Sequence, residues 1–300
     1  GIGIPISLGL SPRLSATYSP NENFSFFMAY DRIRQPFHRL RQGLFLSQQD
    51  FPIAISSQLP APIIDQFSLG HVFVGSSVKL STSVFYRSLI NDLAPTYLAP
   101  TFIASVEQNG LFLQDRQSGL LSVNGYAYGA EFDMEYTFSR LQVVSNYTFT
   151  RSRRNSEFLN SGRDFDYNFN REHAFQLRVN YRIKRTSINK IVQVSTAFNY
   201  LSGNYQQFPF LFIQDPSISN GSYPIIEQRN NGQLPPSHYL DLSIRFIKES
   251  EKGYRILSLA INNLYNAHIP YTFVWGVNNN LQTESMFPIL PSLSIKYKWK

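Results

Sequence analysis

His173-Ala174-Phe175-Gln176-Leu177-Arg178-Val179-Asn180-Tyr181-Arg182-Ile183 reads as one amphipathic strand. Successive side chains of a strand point to opposite sides, so Phe175, Leu177, Val179, Tyr181 and Ile183 share one face. Gln176, Arg178, Asn180 and Arg182 share the other. One face is oily and the other strongly polar. About ten further segments repeat the pattern, and nothing between them has the period of a helical core.

The predicted strands are 12–18, 24–33, 65–73, 78–89, 125–138, 141–151, 173–183, 191–200, 239–247, 254–262 and 292–300. Short links, such as Ser19-Pro20-Asn21-Glu22-Asn23, Gly75-Ser76-Ser77, Ser139-Arg140 and the charged run Lys248 to Gly253, alternate with long ones. Transmembrane barrels combine short periplasmic turns with long extracellular loops, so this rhythm sets odd-numbered strands running inward and the C-terminus on the periplasmic side. Inward strands finish at Tyr18, Phe73, Tyr136 with Phe138, Tyr181, Phe246, and Tyr297 with Trp299. Outward strands finish near Tyr30, Tyr86, Tyr147 with Phe149, Phe198 with Tyr200, and Tyr265. Amphipathic rings prefer membrane–water boundaries, and these positions form two girdles. Glu131, Asp133 and Glu135 alternate with Ala130, Phe132, Met134 and Tyr136. A charge facing lipid near the midplane costs roughly 2–4 kcal/mol, so the carboxylates belong in the lumen. The fold class is all-β: an antiparallel transmembrane barrel wall. Bacterial single-chain barrels have even strand counts, so about eleven strands form a portion of a larger wall or are completed by another chain.

Composition agrees. Of 300 residues, 43% are hydrophobic and 15% aromatic, led by 25 Phe and 18 Tyr. No apolar run approaches the ~20 residues of a membrane helix. Cysteine is absent, which excludes disulfides and thiolate metal sites. The net charge of +7 is spread without a dense basic run, so nucleic acid is not an expected partner. Gly1-Ile2-Gly3-Ile4-Pro5 lacks the basic start and apolar core of a signal peptide, so the sequence reads as mature or truncated.

Several segments resemble the C-terminal half of the barrel of TonB-dependent outer-membrane receptors, especially the Bacteroidetes type. Pro12-Arg13-Leu14-Ser15 is similar to a P-R-L/F-S strand entry, and Asp65-Gln66-Phe67-Ser68-Leu69-Gly70 to D-Q-Y/F-S-L/V-G. Gly125 to Glu131 resembles G-x-A-x-G-A/V-E, and Tyr147 to Ser152 a Y-T-x-S-R/K-S/T strand end. His238 to Ser243 resembles H-R-L-D-L-S, and Asn262-Asn263-Leu264-Tyr265-Asn266 the N-N-L-F/Y-N segment before the last loop. Asn170-Arg171-Glu172-His173 matches D-x-R-H only loosely, and the chain ends Trp299-Lys300 where many barrels end on an aromatic. The resemblance covers residues 1–300 as one barrel portion. It implies a 22-stranded wall in the bacterial outer membrane, with a plug and the first strands preceding Gly1. It also implies energised import of a scarce nutrient: a metal chelate, vitamin, glycan or peptide. The implied partners are outer-membrane lipid and lipopolysaccharide, the TonB system acting through the plug, and a surface lipoprotein.

Catalytic signals are poor. Ser187-Ile188-Asn189-Lys190 spells S-x-x-K, but without a helix to align Ser with Lys. The histidines His38, His71, His173, His238 and His268 form no i, i+4 zinc pair and read as solvated or strand-capping. Asn146-Tyr147-Thr148 and Asn220-Gly221-Ser222 match the glycosylation triplet without consequence, and Gly1-Ile2-Gly3 makes no phosphate loop. No enzyme activity, cofactor or metal is expected. The candidate ligand contacts lie at the extracellular rim: Arg151, Arg153 and Arg154, joined by Arg163, and the loop aromatics Phe210, Tyr271 and Trp275 with Phe208, Phe212, Tyr223 and Phe273. Arginines there could grip an anionic ligand or lipopolysaccharide phosphates; ordinary solubilising charge is the competing reading. The aromatics could hold a ligand or pack the loops together. A passive pore, a structural subunit of a surface machine and an outer-membrane hydrolase are the alternative functions. The last lacks any converging acid, base and nucleophile.

Overall fold

The computed structural model describes residues 9–41, 50–56, 59–95, 120–185, 190–206, 211–214, 222–225, 228–250, 253–275, 281–286 and 288–299. Eleven wall strands follow one another in chain order: β1 Arg13–Tyr18, β2 Phe24–Arg34, β3 Ile63–Val74, β4 Val78–Pro95, β5 Leu120–Phe138, β6 Leu141–Asn155, β7 His173–Arg185, β8 Lys190–Leu201, β9 Ser237–Ser250, β10 Gly253–Asn262 and β11 Leu290–Trp299. Each is antiparallel to the next, and a two-residue strand, Phe165–Asp166, joins the outer end of β6. The sheet is a single meander.

The register carries the two faces unbroken from strand to strand. Tyr30 stands opposite Leu14 and Phe67, Phe67 opposite Tyr86, and Tyr86 opposite Tyr128. On the reverse face, Asp133 stands between Ser81 and Asn146, and Glu131 between Ser83 and Thr148. A slip of one residue would exchange the faces. Within the wall pairings the one shift lies between Leu89 and Asp92, where Asn91 adopts a positive φ of 61°. It falls above the outer aromatic ring, where a bulge costs no lipid contact.

The oily face is uncovered. Met28 is 60%, Leu69 58% and Val84 50% exposed, although all three lie mid-strand. Each exposed apolar Å² costs about 25 cal/mol in water, so this face belongs in hydrocarbon. It is not the inner face of a sandwich. The polar face is cross-linked by side chains: Arg87 Nε donates to Gln66 Oε1 at 2.7 Å, Gln176 Nε2 to Asn199 Oδ1 at 2.8 Å, and Asn146 Nδ2 to Asp133 Oδ1. Two luminal rings fill glycine gaps on the neighbouring strand: Phe27 lies over Gly70 and Phe85 over Gly129, each where a Cβ would collide with the ring and a carbonyl. Such pairing offsets the weakness of glycine in a strand.

The buried apolar clusters lie outside the membrane-spanning part. Ile53, Leu59 and Leu120 pack with Leu93, and Ala94, Val123, Leu159 and Phe165 pack with Leu121. They form because β4, β5 and β6 run on past the girdle, to Pro95, from Leu120 and to Asn155, several residues beyond the predicted 89, 125 and 151. The long links also contain hairpins that the alternation does not predict: Phe37–Arg41 with Asp50–Ala54, Tyr205–Gln206 with Gly232–Gln233, Leu211–Gln214 with Ser222–Ile225, and Pro270–Trp275 with Leu281–Ser285. The membrane part of all eleven strands stands where the alternation placed it.

His38 corrects an expectation. It is 2% exposed rather than solvated, with Nε2 donating to the Pro60 carbonyl at 2.9 Å. That carbonyl accepts only, so the proton sits on Nε2. Burial holds the ring below the usual histidine range. His173 and His238 do begin strands, each with Nδ1 bonded to a tyrosine hydroxyl: Tyr147 at 2.9 Å and Tyr265 at 2.7 Å. Ser187 to Ile188 and Asn189, Phe208, Phe210, Asn220, Gly221 and Gly1 to Pro5 lie outside the described residues.

Candidate functional site

The outer ends of the strands and their links build one interlocked layer at the mouth. Asn91 Nδ2 donates to the Ala61 carbonyl at 3.3 Å, which ties the first long link to β4. Asn230 Nδ2 donates to the Asp166 carbonyl at 2.6 Å and the Arg229 amide to Asn160 Oδ1 at 3.3 Å, which ties the link after β8 to the link after β6. Gln206 receives the Phe273 amide at 3.3 Å and donates to the Tyr271 carbonyl at 3.5 Å, bringing in the last link. Loops at a barrel mouth are where ligand contacts concentrate.

The four rim arginines do not act as a group. Strand alternation separates Arg151 and Arg153, on the continuation of the oily face, from Arg154, on the luminal side. Arg154 is 5% exposed; its Nε donates to Asp92 Oδ2 at 2.6 Å, Nη1 to Ser152 Oγ at 3.0 Å, and its guanidinium lies 4.2 Å from the Tyr167 ring centroid. Arg153 meets Asp166 at 3.4 Å and Arg151 meets Glu172 at 3.8 Å. Each of the three therefore faces its own carboxylate. Arg163 is exposed and has no ion pair among the described residues.

Two arginines outside the candidate rim set are also held within the mouth layer. Arg171 donates to the Ser202 carbonyl at 3.2 Å and Asn204 Oδ1 at 3.4 Å, both neutral oxygens, and burial pulls its pKa down. Arg229 is 9% exposed, 5.7 Å from the Phe165 ring centroid, and burial pulls it down to about 10. Next to them Tyr205 donates to Glu172 Oε1 at 3.2 Å, and burial raises its pKa. The imperfect Asn170-Arg171-Glu172-His173 match was the available signal. In the fold it joins β6, β7 and the link after β8: Asn170 Oδ1 accepts the Ser152 amide at 3.2 Å, and the His173 amide donates to Ser202 Oγ at 3.0 Å.

Of the aromatics, Tyr271 is 40% exposed at the rim. Trp275, Phe212 and Tyr223 lie in hairpin strands, but their side chains, like Phe208 and Phe210 entirely, lie outside the described residues. Phe165 packs inward, and Phe158 projects at 79% exposure. Among the described residues no three His, Asp or Glu side chains converge as for a metal.

A wall of this register with loops knitted over one end defines an outer-membrane barrel. The family model described as TonB dependent receptor-like, beta-barrel, matches residues 7–264, and the chain belongs to that family. Its members are transporters of the bacterial outer membrane and not enzymes. Among solved structures the chain is similar to the ferric preacinetobactin receptor of Acinetobacter baumannii (TM-score 0.61, 14% identity, 96% of this chain and 36% of that one). It is also similar to the ferric yersiniabactin uptake receptor of Yersinia pestis (0.60, 13%, 94% and 36%). The ferripyoverdine receptor of Pseudomonas aeruginosa gives 0.60, 14%, 96% and 32%. The chain thus spans about a third of the length of the structures it matches. No curated protein is significantly similar in sequence.

Proposed function

We propose that these residues are the C-terminal half of the barrel of a receptor that imports a scarce nutrient, foremost a metal chelate, by energy delivered through TonB. The eleven-strand meander with its uncovered apolar face carries the reading, because eleven strands make half of the 22-stranded wall that outer-membrane transporters use. Three structural neighbours are named as ferric-chelate receptors, which supports a chelate over a vitamin, glycan or peptide. The half-buried cation Arg171 and the buried cation Arg229 at the mouth suit an anionic chelate. Tyr271, Trp275 and Phe210 serve at the rim of that site, while Arg151, Arg153 and Arg154, each held by its own carboxylate, shape the mouth layer around it. The strand-entry motifs support the Bacteroidetes type, with a surface lipoprotein as partner. The test is uptake of radiolabelled ferric chelates by cells carrying the full-length receptor, with and without TonB. Uptake abolished by loss of TonB is expected; TonB-independent flux of small solutes would favour a passive pore.

A further inference from the structure

Charges on the luminal face are sorted by strand. On β5, Glu131, Asp133 and Glu135 follow one another at alternate positions, and each is held by a neutral donor: Ser83 Oγ at 3.2 Å, Asn146 Nδ2, and Gln142 Nε2 at 2.9 Å. Lys79 stands opposite Glu135. Among the described residues none of the three carboxylates is in an ion pair.

Across β7 to β11 the sign reverses. Arg178 and Arg182 on β7, Arg245 on β9, and Lys296 and Lys298 on β11 all fall on the polar face and are exposed. Arg182 and Arg245 flank Gln193 from either side, about 10 Å apart at two strand spacings. None of these cations forms an ion pair among the described residues. Asp241, the carboxylate whose side chain is described in this sector, accepts the Asn263 amide at 2.9 Å.

Depth matters as much as sign. Arg182 follows Tyr181, Arg245 precedes Phe246, and Lys296 and Lys298 flank Tyr297, all aromatics of the inner girdle. The cations therefore line the periplasmic end of the lumen on this side. Above them the wall is low: Ser195, Ser243, Ala260 and Ser292 form one cross-strand row over β8 to β11. On β2 to β4 the lumen instead carries the Phe27 and Phe85 rings. At the outer end, Arg171 and Arg229 sit in the links that lead into β7 and β9. Unpaired like charges on a low-dielectric wall focus the field, which draws anions and excludes cations.

We propose that this sector is the exit path of the cargo, and that Arg182, Arg245, Lys296 and Lys298 select for negative charge during passage rather than at the mouth. The β5 carboxylates keep an anion from their own side of the wall. The inference rests on import of an anionic chelate as proposed above, and adds the residues that sort cargo after it has bound.

Cells carrying the full-length receptor are given two radiolabelled probes, a triply anionic ferric tricatecholate and a neutral ferric trihydroxamate. Surface binding is measured without TonB and uptake with it. Wild type is expected to take up the tricatecholate faster. Arg245→Glu with Lys296→Glu should slow that uptake about tenfold at unchanged surface Kd, and Arg245→Gln with Lys296→Gln about threefold. The Gln pair keeps the test readable should the Glu pair fail to assemble. Arg245→Lys with Lys296→Arg should keep the wild-type rate, as should Glu131→Gln with Glu135→Gln. An undiminished rate in the Gln pair, an equal loss on removing the β5 charges, or faster uptake of the trihydroxamate overturns the proposal. So does a TonB-independent leak of small solutes with the chelate rate unchanged, the result expected of cations that only hold a plug. Failure of wild type to take up either probe counts against the chelate reading itself and removes this inference with it.

Discussion

Asp92 and Arg154 lie 62 positions apart and meet at 2.6 Å on the luminal side of the outer strand extensions. The bulge at Asn91 makes the meeting possible. It shifts β4 by one residue, so that Asp92 stands opposite Val123 and turns toward the side on which Arg154 lies. Arg154 is thereby a post inside the mouth layer rather than a surface charge.

Removing that carboxylate strands a buried cation. Asp92→Ala is expected to destabilise the mouth layer by about 2 kcal/mol, below the ~3–5 kcal/mol for a wholly buried pair because Asp92 is about a third exposed. Hydrogen exchange of the refolded receptor reads this as faster exchange at 152–170, with 175–181 unchanged. The double variant Asp92→Ala with Arg154→Met should recover part of the protection.

Adjacent residues in β7 test the two faces. Val179 pairs on the oily face with Val143 and Thr196, and Asn180 on the polar face with Gln142 and Ser195. Val179→Arg should cost roughly 2–4 kcal/mol and reduce the heat-modifiable, assembled fraction. Asn180→Arg should leave that fraction within about 1 kcal/mol of wild type. Equal losses would contradict the assignment of faces.

Gly129 admits the Phe85 ring, and a Cβ there would also meet the Phe149 carbonyl. Gly129→Val is expected to lower stability in urea titrations by about 1–3 kcal/mol, the ordinary scale for overpacking. Gly129→Val combined with Phe85→Ala should relieve only the ring clash and recover less than half.

The first long link should loosen in acid. Burial depresses the His38 pKa, so the folded link resists a proton that the opened link accepts. Above the unfolded value near 6.5 neither state is charged and no stability is lost. As pH falls through 6.5 toward the folded value, stability falls. Exchange at 50–56 should therefore accelerate between pH 7.5 and 5.5, and His38→Gln should abolish that dependence.

The wall was legible because lipid enforces a period of two: residues such as Leu177 and Arg178 cannot trade places. Beyond the girdle that constraint lapses. Ser88 to Pro95 and Leu120 to Asn124 remain strands, but their alternation no longer separates oil from water, and the predicted ends stopped short. The parity of Arg151, Arg153 and Arg154 was readable, and it already assigns the third to the opposite face. Their partners were not. Asp92 is displaced by a bulge, and Asp166 and Glu172 arrive through links whose folding depends on neighbouring loops. Arg171 and Arg229 look like any polar loop residue until Ser202, Asn204 and Phe165 close around them.

The knitting of the outer links constrains how such a receptor can acquire a new cargo. Transplanting the 156–172 segment from a relative would leave Asn230 without its Asp166 carbonyl, and Arg153 and Arg151 without the Asp166 and Glu172 carboxylates. Altered selectivity is therefore reached by exchanging these segments as a set, or by small changes at a projecting tip such as Phe158, whose side chain stands 79% exposed.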